Sequence, residues 1–139
     1  MSRTEGERGP TGSPPNEAEA ELAVARMAEM SVDMRACAVL DAAGGELASS
    51  GGSGWARAGA AFLAAADGAG EEAASQVHVA TEDGEAFAVR EGGLAMVAVA
   101  ERFTLASLML FDMRMVLRDL ASGDGVPDRR APGPEPEAA

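Results

Sequence analysis

The run 94–100, LAMVAVA, is apolar at every position. Successive side chains of a strand point to opposite faces, so a strand apolar at both parities must be covered on both sides. The run 36–40, ACAVL, reads almost the same way. One helix cannot cover both faces of a sheet, and the chain has three segments of helical periodicity with which to do it.

The first helix follows Pro14 and Pro15, with Asn16 as N-cap and Glu17 and Glu19 in its first turn. Its stripe is Ala20, Ala23, Val24, Met27 and Met30. The second begins near Trp55, capped by Ser53. It packs through Trp55, Gly59, Phe62, Leu63 and Ala66, leaving Ala56, Ala60, Ala61, Ala64 and Ala65 as a smooth outward side. Thr104 caps the third, whose wide arc is Leu105, Met109, Met113, Val116, Leu117 and Leu120, with Leu110 at its margin. A second stripe, Leu108, Phe111 and Met115, recurs at i, i+3, i+7 beyond Arg114 and Arg118. It faces either the first helix or an incoming protein.

Strands are expected at 35–41, 46–50, 76–81, 85–90 and 94–100, with turns between them short enough to imply antiparallel pairs. The expected class is α+β in the order αββαβββα, one helix on one sheet face and two on the other. Of 139 residues, 16–121 form the domain. The polar Gly- and Pro-rich ends, 1–15 and 122–139, are expected to be disordered tails.

The chemical inventory is thin. No run of apolar residues is long enough to cross a membrane as a helix, and no signal peptide is read at the N-terminus. The net charge of −12 argues against nucleic acid and anionic lipid, which need a positive surface. Cys37, the single cysteine, reads as a small core residue of a reduced compartment. His78 lacks the neighbours of a general base or metal ligand and reads as a partly exposed strand residue. Glu82, Asp83 and Glu85 lie close in sequence but lack the ligand series of a calcium loop. The glycine-rich stretch before the second helix lacks Walker spacing, and Arg57 is the only positive charge near it. No catalytic, cofactor or metal residue is assigned.

Three pieces carry a resemblance: CAVLDAAGGELASS, the three-strand meander 76–100, and SLMLFDMRMVLRDL. Together they resemble the roadblock (dynein light chain) family in its bacterial MglB-type branch. That resemblance implies a five-stranded antiparallel sheet with the second helix alone on one face. It also implies a homodimer in which the strand after the second helix pairs with its copy, here Gln76, Val77, His78, Val79, Ala80 and Thr81. The second helices would then adjoin through Ala60, Ala61 and Ala64. An edge with no proline or lysine is an association risk that such pairing removes.

Family members are non-catalytic regulators and scaffolds, and the bacterial ones bind small Ras-like GTPases without contributing an arginine finger. The expected function is therefore a cytoplasmic homodimeric regulator of a small GTPase in bacterial signalling. Its partner surface would be Leu108, Phe111 and Met115 with Arg114 and Arg118. The alternatives are a self-assembling scaffold without a GTPase, and a small-ligand sensor using the space between sheet and helix.

Overall fold

The computed structural model describes residues 15–51, 54–70 and 72–123. Helix α1 (Glu17–Met30) starts as the sequence indicates. Asn16 Oδ1 accepts the Glu19 N–H at 2.8 Å and Glu19 Oε1 accepts the Asn16 N–H at 2.9 Å, a reciprocal cap for two orphan donors. Strands β1 (Met34–Leu40) and β2 (Glu46–Ser50) form a hairpin, with Asp41 Oδ1 accepting the N–H groups of Ala43 and Gly45 in the turn. Helix α2 (Trp55–Gly68) follows, then β3 (Gln76–Ala80), β4 (Glu85–Glu91), β5 (Leu94–Ala100) and α3 (Ala106–Ser122). The five strands form one antiparallel sheet in the order β2-β1-β5-β4-β3. This is the expected α+β architecture, with β3 and β2 at its edges.

Both faces are covered, as the two-sided apolar strands require. Cys37, Val39, Phe87, Val89 and Met96 face α1 and α3, while Ala38, Leu40, Ala88, Ala95 and Val97 face α2. Burial pushes the Cys37 thiol up to about 12, which leaves it an inert core group. Of the largest fully buried side chains only Leu40 and Val97 lie on the α2 side. Each such side chain stabilises by about 1.5–3 kcal/mol, so the α1–α3 layer supplies most of the hydrophobic stabilisation. The α2 layer is instead thin and close. A Cβ at Gly59 would come within 2.2 Å of Val97 Cγ2, so only glycine lets the helix axis approach the strand this far.

Several local expectations change. The residue before α3 that acts as N-cap is Leu105, which makes no side-chain cap bond. Thr104 Oγ1 donates instead to the Glu101 carbonyl. Leu105 therefore leaves the packed arc and is 65% exposed, while Met109, Met113, Val116, Leu117 and Leu120 pack as expected. The cap expected at Ser53 lies outside the described residues; the N-cap of α2 is Gly54, in a left-handed conformation. Ala56 is buried and Ala60 half-buried, so neither belongs to the outward side of α2, whose exposed residues are Arg57, Ala58, Ala61, Ala64, Ala65 and Gly68. Strand β3 stops at Ala80, because Thr81 turns its hydroxyl onto the Gly84 carbonyl. The expected tails, apart from Pro15, Ser122 and Gly123, lie outside the described residues; Ser122 closes α3.

Candidate functional site

Strand β3 pairs on one side with β4, and its other side is the border of the sheet. Helix α2 crosses β2, β1 and β5, and it leaves the β4–β3 part of its face lightly covered. There Val79 is 42% exposed, and Val77 and Ala86 are half-buried. An apolar half-face thus runs directly onto an unpaired edge.

The opposite face of β3 is tied down by polar groups. His78 stacks parallel on Phe87, with ring centroids 4.7 Å apart, and its Nε2 lies 2.7 Å from Glu85 Oε1. Glu85 is buried, and its second oxygen accepts the backbone N–H of Phe103 at 2.7 Å. These contacts, the His78 bond first, hold the Glu85 carboxyl below the usual carboxylate range. Glu85 therefore does not join Glu82 and Asp83 in an acidic cluster. Among the described residues no group of three or more His, Cys, Asp or Glu side chains is arranged to hold a metal ion. No described helix is long and apolar enough to cross a membrane.

Arg114 and Arg118 converge on one acceptor. Both donate to Glu91 Oε2, at 3.0 and 3.2 Å, and Arg114 also donates to Gln76 Oε1 at 2.7 Å. The pair, Arg114 first, lowers the Glu91 carboxyl below its ordinary value. The like-charged i, i+4 spacing, unfavourable in isolation, becomes a clamp from α3 to β4 and β3.

The second stripe of α3 points outward. Leu108 is 53% and Phe111 63% exposed, and Met115 is half-buried. Helix α1 meets α3 on a different flank, around Val116 and Leu120, where Arg26 pairs with Asp119 at 3.1 Å. The stripe is therefore not covered by the first helix.

Two further features mark the surface. Phe103 has φ +66°, is 83% exposed, and carries the Arg102 guanidinium 4.7 Å above its ring. A bulky residue in the left-handed region is strained. The second is a cleft of about 690 Å³ between α2 and the β1–β2 and β4–β5 turns. Ala60, Ala61 and Ala64 line it, and Ala60 Cβ stands 3.9 Å from where a Cβ on Gly44 would lie. Its Asp67–Arg90 wall is locked by bonds of 2.7 and 2.9 Å, and both partners also hold Ala74.

No family model matches the sequence, and no curated protein does either. Solved structures do match. A roadblock/LC7 domain from Streptomyces avermitilis superposes with a TM-score of 0.62 at 14% identity, covering 72% of this chain and 92% of that one. MglB of Myxococcus xanthus gives 0.61 at 14% identity over 87% and 92%. A further MglB structure, one with a tetrameric arrangement, gives 0.54 at 18% identity over 78% and 93%. What these chains share with this one is the fold.

Proposed function

For a chain with the roadblock fold and a free β3 border, we propose a cytoplasmic, non-catalytic homodimeric regulator or adaptor that binds a small Ras-like GTPase. The observation that carries the dimer is the continuity between the β3 edge and the apolar half-face beside it. Pairing Gln76–Ala80 with its copy would satisfy the unpaired backbone groups and cover Val77 and Val79 at once. The twin helices would meet through small exposed side chains of α2. By the 100° progression from the middle of the buried side (Ala56, Gly59 and Leu63), Ala58, Ala61 and Ala65 are the alanines lying outermost, with Ala64 towards the cleft and Ala60 beside the β1–β2 turn.

The GTPase reading is supported by the likeness to MglB and by surface rather than chemistry. The exposed α3 stripe offers apolar anchors, whereas His78 and Glu85 are engaged in structural bonds. The decisive measurement is sedimentation of the pure protein, followed by titration with a small Ras-like GTPase from the same genome loaded with GDP or with a non-hydrolysable GTP analogue. A dimer that prefers one nucleotide state is expected. A dimer that binds neither state would reject the GTPase reading and leave the scaffold and small-ligand alternatives, and a monomer would reject the homodimeric regulator and the scaffold alike.

A further inference from the structure

We propose that the connection 101–105 and the outward side of α3 form one protein-docking surface. Phe103 is its anchor, and its partner is a protein with an apolar groove bordered by carboxylates. The inference rests on reading the chain as a protein-binding regulator, but not on the partner being a GTPase.

Exposed apolar side chains are ordinary when scattered and informative when gathered. Eight large ones are exposed among the described residues, and four of them, Phe103, Leu105, Leu108 and Phe111, fall within nine consecutive positions. The α1–β1 connection, which carries the 90% exposed Val32, is fastened to the same end by the Glu101 N–H on the Asp33 carbonyl.

Phe103 sharpens the argument. Its backbone strain is not compensated by packing, since the ring is in solvent apart from Arg102. The Glu85 carboxylate holds its N–H and makes the strained conformation persist. Strain retained without internal packing gain, on a presented aromatic ring, is what a binding anchor needs.

Shape and charge define the occupant. Leu108, Phe111 and Met115 form a convex helical ridge, so the partner must supply the groove. In a chain of net charge −12, the flank of this ridge formed by Arg114 and Arg118 sets two cations against one carboxylate. They share the single carboxylate of Glu91, while Arg102, over the Phe103 ring, also acts on the Glu85 carboxylate. Carboxylates around the partner's groove complement that excess.

The test uses Phe103→Asn, Phe111→Ser and Arg118→Glu in the full chain. Asparagine tolerates the left-handed conformation, so the first change removes the ring without adding strain. The primary probe is the purified small Ras-like GTPase in its preferred nucleotide state. Each of the two apolar variants should weaken binding at least roughly tenfold with melting and sedimentation unchanged, and the charge reversal, which also breaks the Glu91 contact, should weaken association further at low salt with sedimentation unchanged. Equal affinity for all forms overturns the docking surface while leaving GTPase binding intact. If the native protein binds no GTPase, a photo-crosslinking amino acid placed at Leu108 decides, with the same group at Ala58 as control. A protein captured only from position 108, then purified and bound at least roughly tenfold more weakly by Phe103→Asn, supports the surface. No capture from position 108 overturns it.

Discussion

The Glu85 carboxylate accepts the backbone N–H of Phe103 at 2.7 Å, joining the first residue of β4 to the connection that follows β5. Its other oxygen holds His78 on the border strand. One side chain therefore ties the free edge of the sheet to the strained, exposed phenylalanine.

That link should be visible in acid. The Glu85 carboxyl is lowered from 4.5, chiefly by the His78 bond. A group depressed in the folded state contributes stability that is present above its unfolded value and lost as pH falls through the folded one. Hydrogen exchange at the Phe103 amide, corrected for intrinsic rate, should lose protection as pH drops below the usual carboxylate range. Glu85→Gln, which does not ionise, should show no such step. A step of equal size in the variant would assign it to another group.

The Asp67–Arg90 pair makes a parallel prediction for global stability. The Arg90 hydrogen bond leads in lowering the Asp67 carboxyl from 3.8 to about 2, helped by the Ala74 N–H. Its contribution is complete above the unfolded value and disappears between that value and about 2. The melting temperature of the native protein should fall across that window, and Asp67→Asn should start lower and respond less. Superimposable acid limbs would mean that the pair does not contribute.

Two glycines of α2 should respond to alanine with opposite sign. Gly59→Ala must drive a methyl into Val97, a branched side chain fixed inside the sheet, and should destabilise by about 1–3 kcal/mol in urea unfolding. Gly68 has open space where a Cβ would go. Gly68→Ala should stabilise by about 0.4–1 kcal/mol, through the reduced freedom of the unfolded chain. If both changes prove neutral, the helix does not sit as close to β5 as the geometry requires.

These contrasts show where the sequence was legible. β2 and β5 could be bounded to the residue, because their apolar runs end at glycine or charged turns. The two-sided burial of β5 implied helices on both faces, and the chain supplied them. The rotation of α2 was less legible, since alanine carries no amphipathic contrast and Ala56 looks like Ala61 until Gly59 and Leu63 fix the buried side. Glu85 read as one solvated acid among three, because its partners lie on β3 and beyond β5, at a distance that no local pattern encodes. Arg114 and Arg118 read only as part of a partner surface for the same reason, their common acceptor being Glu91 on another element.

The border strand is where the proposed dimer can be tested. The sheet has two edges, but they differ in what lies beside them. Strand β2 is flanked by α1 on one face and α2 on the other, whereas β3 runs beside the half-face that α2 leaves lightly covered. Val79, 42% exposed, points to that half-face next to Ala86. If two β3 strands pair, a lysine there would bring like charges together in an apolar seam. Within one subunit the same lysine can reach solvent from its partly exposed position, so the fold itself should tolerate it. Val79→Lys should therefore shift sedimentation equilibrium from dimer towards monomer while leaving the far-ultraviolet circular dichroism unchanged. Glu46→Lys, an exposed position on β2, should leave the mass alone. An unchanged mass for Val79→Lys, or an equal shift for Glu46→Lys, would remove the β3 pairing, and the proposed dimer would need a different surface.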